Sequence, residues 1–265
     1  MNNTRRIAHN VPFRPASAIF ISAMLALCLW SSSAISGETP AALVAKDGTA
    51  RMPVVLSANA GDAVRNHAQE LADYLGRITG GTFPVETGDG RSGIVASTLE
   101  GLRDVIPEDV AESLALRGPY DGKEAYAIRT SPTRVMLAGR TPLAVGHAVS
   151  RLLEEVGYRH FFPAPEWEVI PSKPTLRISL RIDDRPEILA RRIWYGYGFF
   201  DRRRGKAARE YRTWARHNRM AGSFDVDCGH GWGRTMREKR AAFDDHPEFL
   251  ALIRGKKDDT CERKG

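Results

Sequence analysis

Cysteine is scarce: the 265 residues hold only Cys28, Cys228 and Cys261. Cys228 and Cys261 could pair in an oxidising compartment, but sequence alone does not show whether their geometry allows it. They do not compose a metal site, because Cys228-Gly229-His230 lacks a second ligand pair at zinc-like spacing. No metal and no cofactor are expected. Long apolar runs are missing too. The run from Ala18 to Trp30 is broken by Ser22 and falls short of the roughly 20 residues a spanning helix needs. No acidic residue precedes Glu38, and there is no internal repeat or low-complexity stretch.

What the N-terminus does contain reads as an export signal. Arg5, Arg6 and Arg14 precede the apolar run, and small residues follow from Ser31 to Gly37. Ala34-Ile35-Ser36 fits the small-x-small cleavage pattern, with the mature chain starting at Gly37. A retained membrane anchor is the rival reading, and the shortness of the segment argues against it. Leu25-Ala26-Leu27-Cys28 resembles a lipoprotein signal only faintly, since the bulky Leu27 precedes the cysteine. The expected location is therefore secreted or periplasmic, with membrane contact only through an uncleaved signal.

The net charge of +7 is unevenly spread. Residues 185–265 carry 20 Lys+Arg against 12 Asp+Glu, whereas residues 37–184 are slightly acidic. This contrast suggests two structural units, or an anionic ligand for the basic one.

The acidic segment alternates strand and helix patterns. Pro53 to Leu56 is a short apolar run. Val64, Ala68, Leu71, Leu75 and Ile78 share one face of a helix over about 63–78, stopped at Gly80-Gly81. Phe83 to Val85 and Gly93 to Ala96 read as strands, and Leu114 closes a short helix. Glu124 to Arg129 and Thr133 to Ala138 form two more strands around the turn at Ser131-Pro132-Thr133. Thr141-Pro142 is a hydroxyl cap followed by proline at the first helical position. The stripe Val145, Val149, Leu152, Leu153 and Val156 continues that helix to Gly157. Leu176 to Leu180 alternates like a strand. The fold class is α/β, with two amphipathic helices on a mixed sheet.

Past Pro186 the texture changes. Leu189 to Gly198 holds Arg191, Arg192 and the aromatic cluster Trp194, Tyr195, Tyr197, with Phe199 and Phe200 beyond. A basic helix is predicted over 205–219, a strand over 222–227, a glycine-rich loop from Cys228 to Arg234 and a short helix over 247–253. Arg202-Arg203-Arg204-Gly205-Lys206 could contact nucleic acid, but no nucleic-acid motif accompanies it, and it reads as a solvated charge run.

The run Ala138-Gly139-Arg140-Thr141-Pro142, then Gly146-His147-Ala148, Leu152 to Arg159 and Phe161-Phe162-Pro163, resembles the N-terminal domain of α-glucuronidases and the second domain of β-hexosaminidases. Glu70 to Leu75 with Gly80 fits the same pattern. The resemblance covers about Ala50 to Leu180. Arg191 to Gly196, Trp214 to Met220, His246 to Phe249 and Gly255-Lys256 resemble the opening of a glycosidase-type (β/α)8 barrel that follows this domain in a large bacterial family. After the export signal read over 1–36, the resemblance implies an α/β domain over 37–184 and the first βα units of a barrel over 185–265. A barrel takes about 250 residues, so the expectation is an incomplete (β/α)8-type barrel.

It also implies a glycoside hydrolase acting on polysaccharide, with carbohydrate as the partner. Such hydrolysis needs two carboxyl groups; by resemblance they come from later strands, and no catalytic pair is assigned. Asp225 and Asp227 are a substitute near a strand end, with an ordinary solvated role as the rival. Arg191, five residues after Pro186, matches a sugar-contacting arginine of hexosaminidase-like barrels, and Arg192 is its neighbour. Arginine can donate two parallel hydrogen bonds to vicinal hydroxyls, though a plain salt bridge is the alternative. In Cys228 to Gly233, His230 and Trp232 are candidate sugar contacts, since an indole face and an imidazole suit sugars. His217-Asn218, at a helix-to-strand junction, is either part of a site or a structural cap. The alternative function is a secreted carbohydrate-binding or interaction module without catalysis. A third reading is an exported structural protein.

Overall fold

The computed structural model describes residues 39–119, 121–193, 205–220, 232–250, 252–253 and 256–257. The signal expected over 1–36, Trp194 to Phe200, Arg202 to Arg204, the strand expected over 222–227 with Asp225 and Asp227, Cys228, His230 and Cys261 lie outside them. The chain divides into two units, 1–40 and 41–265, and all the described helices and strands belong to the second.

In chain order these elements are β1 (Ala42–Lys46), β2 (Thr49–Ala50), β3 (Val54–Leu56), α1 (Asp62–Thr79), β4 (Val85–Thr87), β5 (Gly93–Thr98), α2 (Glu108–Ser113), β6 (Tyr126–Ser131), β7 (Arg134–Gly139), α3 (Pro142–Glu155), β8 (Arg159–His160), β9 (Glu168–Val169), β10 (Leu176–Ile178), β11 (Arg181–Asp184), α4 (Lys206–His217), α5 (Trp232–Glu238), α6 (Arg240–Asp245), β12 (Leu252–Ile253) and β13 (Lys256–Lys257).

The main sheet has the order β11-β6-β7-β5-β3-β4. β4, β3, β5 and β7 run parallel, and β6 and β11 add antiparallel pairs at one side. Period-two alternation sorts its side chains into two layers. Val54, Leu56, Ile94, Ala96, Tyr126, Ile128, Val135 and Leu137 join the core that holds the apolar stripes of α1 and α3. Val55, Val95, Ala127, Met136 and Ala138 face the other way, against Leu102, Val110 and Leu114 around α2. Burial on both faces explains why these strands read as continuous apolar runs. β1 and β10 pair in a smaller sheet, and their Ala42, Val44, Leu176 and Ile178 enter the first core.

Local signals explain the helix ends. Gly80 takes a left-handed φ of 83° and returns its N–H to Gly76 O, closing α1. Thr141 Oγ1 accepts from Ala144 N, and Pro142 begins α3. The α/β class with a mixed sheet holds. Several expectations are corrected. The strand read over 83–85 starts at Val85, with Phe83 buried ahead of it. The expected glycine-rich loop is helical from Trp232, where α5 begins. The helix read over 247–253 is a single 3-10 turn, Pro247–Phe249, before a short antiparallel pair. β1 and β11 have no counterpart among the predicted elements: β1 is too short to declare a period, and β11 is mostly charged. Among the described residues after Arg185, the one strand pairing within that segment is antiparallel, β12 with β13.

Candidate functional site

The parallel strand order reverses between β3 and β5. From β3 the chain goes through α1 to β4 on one side, while β5 pairs on the other. At such a reversal the connections diverge, and a crevice opens beyond the carboxyl ends of the strands. Here it has a volume of about 460 Å³. Ser57 follows β3, Ser97 and Thr98 close β5, and Arg140 follows β7; all four line the crevice together with Asn59 and Lys123.

Two helices start at its wall. Gly61 caps α1 without a side chain, so the first-turn amides of that helix are left for solvent or ligand. Thr141 caps α3, and its hydroxyl donates to Lys123 O at 2.7 Å. Ser57 Oγ and Ser97 Oγ stand 3.3 Å apart. Gly101 permits this: a Cβ there would collide with Ser97 Oγ and come within 2.7 Å of Ser57 Oγ. Helix N-termini carry partial positive charge, Lys123 and Arg140 add full charges, and Glu100 is the one acidic residue in the lining. The crevice therefore offers hydroxyls and donors in a positive field, which suits an oxygen-rich, anionic or polyhydroxyl ligand.

A second group of polar residues lies between α1, α4 and the β8–β9 pair, with His160, His217 and Tyr158 buried and the arginines at its rim. Glu70 on α1 accepts from Arg216 Nη2 at 2.6 Å and lies 2.8 Å from His217 Nε2. Tyr158 Oη is 2.8 Å from His217 Nδ1 and 3.0 Å from Glu168 Oε1. Tyr74 Oη donates to Glu168 Oε1 at 2.6 Å, and Arg77 donates to its other oxygen at 3.0 Å. Tyr74 and Tyr158 meet edge to face at 4.7 Å.

These contacts set the protonation states. Burial alone raises the Glu70 pKa, but hydrogen bonds from His217, His67 and Arg216 outweigh it and hold the carboxyl far below the usual range. Burial likewise raises the Glu168 pKa, and Tyr74, Tyr158 and Arg77 reverse it to a net lowering. Burial and the Glu168 carboxylate push the Tyr74 phenol up to about 12. Burial, with the neighbouring His217, lowers His160.

A third group surrounds Glu124, which is 4 % exposed. His147 Nε2 lies 2.8 Å from Glu124 Oε2, and Arg191 also donates to that oxygen. Arg191 Nε donates to Arg219 O at 3.1 Å. Its guanidinium thus ties the segment after β11 to buried protein acceptors, as a salt bridge does. Arg192 is exposed and stands apart from the crevice lining. Asn218 Nδ2 donates to Trp214 O and to His160 O, each at 2.9 Å, so one amide hydrogen caps α4 and the other ties the helix end to β8. Trp232 is the first residue of α5. The structure does not bring Arg191, Arg192 and Asn218 into the crevice. Sequence reading missed Ser57, Ser97 and Lys123; the strand-end positions of the two serines, each just past an apolar run, were the available signal.

No protein-family model matches the chain. No curated protein sequence matches it either. Among solved structures the chain is similar to a family GH115 4-O-methyl-α-glucuronidase with specificity for decorated arabinogalactans. The identity is 18 %, the match covers 54 % of this chain and 18 % of that one, and the TM-score is 0.40. It is also similar to the GH20 β-N-acetylhexosaminidase of Streptomyces coelicolor A3(2). That match has 23 % identity, covers 57 % of this chain and 25 % of the other, and has a TM-score of 0.37. The chain spans a quarter or less of the length of these two glycoside hydrolases.

Proposed function

We propose that this chain belongs to a glycoside hydrolase-like protein of extracellular polysaccharide metabolism, and that its α/β domain binds carbohydrate and does not cleave it. The observation that supports binding is the crevice at the strand-order reversal, with Ser57, Ser97, Lys123 and Arg140 in its wall. Vicinal hydroxyls can accept from the guanidinium and ammonium and exchange hydrogen bonds with the serines. The positive field favours an acidic sugar over a neutral one. Against cleavage by the described residues stands the pairing of Asp121, Asp183 and Asp184, which line a second hollow together with Arg185. Asp183 is held by Arg129 at 2.7 Å, Asp184 accepts from Tyr126 at 2.5 Å and Asp121 pairs with Arg185 at 3.3 Å. A general acid or base needs its carboxyl free to reach substrate.

The test is titration calorimetry of the purified chain with acidic and neutral oligosaccharides, alongside a hydrolysis assay. Binding of acidic oligosaccharides is expected, weakened about tenfold by Arg140→Ala, the cost of roughly one charge-assisted hydrogen bond. Hydrolysis is expected to be undetectable. Equal binding by Arg140→Ala, or turnover by the chain, would overturn the reading. Export is part of the same proposal, and the N-terminus of the processed protein is expected at Gly37. A processed chain that retains Arg5 and Arg6 would contradict it.

A further inference from the structure

We propose that His160, His217 and Glu168 form a binding site for a divalent transition-metal ion, with zinc the first candidate. Three donor atoms, one from each residue, lie within 4.8 Å of one another. His160 Nδ1 and His217 Nδ1 are 3.0 Å apart, and Glu168 Oε1 lies 4.0 Å from His160 Nδ1. Zinc with bonds of about 2.0–2.1 Å sets tetrahedral donors roughly 3.3 Å apart; the two histidine nitrogens already stand near that spacing, and the Glu168 carboxylate must move inward by roughly an ångström to close the set. Tyr158 Oη, 2.8 Å from His217 Nδ1 and 3.0 Å from Glu168 Oε1, stands at the remaining corner. Imidazole nitrogen with one carboxylate is a donor set suited to zinc, copper or nickel.

The partners of the other ring nitrogens fix the tautomers. His217 Nε2 is 2.8 Å from Glu70 Oε1, and Glu70 also pairs with Arg216. An ionised carboxylate only accepts hydrogen bonds, so His217 Nε2 carries the proton. His160 Nε2 is 3.2 Å from the carbonyl of Ala164, which also only accepts. In the neutral rings both Nδ1 atoms then present lone pairs that face each other beside a carboxylate oxygen, with the Tyr158 hydroxyl placed to donate to His217 Nδ1 at 2.8 Å. Two acceptors at that separation repel unless something positive sits between them. The outer partners, a carboxylate on one histidine and a backbone carbonyl on the other, are those that fix the tautomer of metal-bound histidine. Both histidines are 7 % exposed, in a place that also joins α1, α4 and the β8–β9 pair, so an ion here would act as a structural clasp. The rival occupant is a single proton shared by the two Nδ1 atoms.

The experiment uses the whole chain, stripped with a chelator and then equilibrated with zinc chloride, followed by elemental analysis and a thermal melt. One zinc per chain and a raised Tm are expected. His160→Gln and Glu168→Gln should each lose the bound zinc. Glu70→Gln, which takes the charge from the outer partner that His217 shares with Arg216, should weaken it about 10–100-fold. Absence of zinc in the wild-type chain would overturn the proposal, as would unchanged zinc binding in both ligand variants. Should those variants fail to fold, the wild-type cobalt spectrum decides. Intense tetrahedral bands with nitrogen donors are expected, and a weak octahedral spectrum would reject the site.

Discussion

Glu70→Ala is expected to destabilise the fold by about 3 kcal/mol, the lower end of the cost of breaking a buried pair. The lower end applies because Arg216 keeps 38 % of its side chain exposed. Removing Glu70 strands a guanidinium and an imidazole that it holds at 2.6 and 2.8 Å. It also cuts the link between α1 and α4, which lie 146 residues apart at the bonded pair. The urea midpoint should fall with an unchanged m-value, since the surface exposed on unfolding is the same. Titration supplies a second reading of the same residue. The Glu70 pKa is lowered on folding, so its contribution is fully present above the ordinary glutamate range. It is lost as pH falls below that range toward the folded value. Wild-type stability should therefore drop on acidification from about pH 5, and Glu70→Gln should flatten that part of the profile. An unchanged profile in Glu70→Gln would show that the carboxylate adds no pH-dependent stability.

Gly139→Val is expected to cost about 3 kcal/mol, the upper part of the usual range for overpacking. Gly139 ends β7, and α3 starts just beyond it with its backbone pressed against that end. A Cβ at Gly139 would collide with Val145 N and come within 2.7 Å of Ala144 C. These are backbone atoms of a helix fully packed on the sheet, with Val145, Ala148, Leu152 and Leu153 almost entirely buried. Neither partner can yield by rotating a side chain. The variant must move the start of α3, which carries Thr141 into the crevice, so carbohydrate binding should weaken together with stability. Urea unfolding and calorimetry on one preparation would check both. A variant as stable as wild type would mean that α3 shifts freely against β7.

The residues that make this domain fold announce themselves locally. The stripe Val64, Ala68, Leu71, Leu75 and Ile78 gives α1 its buried face, because side chains three and four positions apart share one side of a helix. Thr141 and Pro142 mark the start of α3 as hydroxyl cap and pre-set φ. The strands β3, β5 and β7 are apolar on both faces because helices cover both. None of this needs knowledge of distant partners. Shorter and more charged elements gave no such sign. β11, with its sequence Arg-Ile-Asp-Asp, is held by pairing to β6 and by Tyr126 and Arg129. That pairing is visible only once both strands are in place.

Site residues divide along the same line. Arg191 was legible as an arginine able to hold two acceptors, but which acceptors it meets is a tertiary matter; Glu124 and the Arg219 carbonyl take it. Asn218 was legible as a cap or a contact, and its side-chain amide is taken up by the Trp214 carbonyl of its own helix and the His160 carbonyl of β8. The crevice depends on the order of strands in the sheet, which no short stretch encodes. The His160, Glu168 and His217 cluster is the extreme case. Its members come from β8, β9 and the end of α4, with 57 positions between the two histidines. Periodicity and capping act over one or two helical turns, so the sequence by itself determined the helices α1, α3 and α4, the inner strands and the α/β class. Convergence of polar groups depends on how those elements pack, and so only the tertiary structure decided where a ligand or an ion could be held.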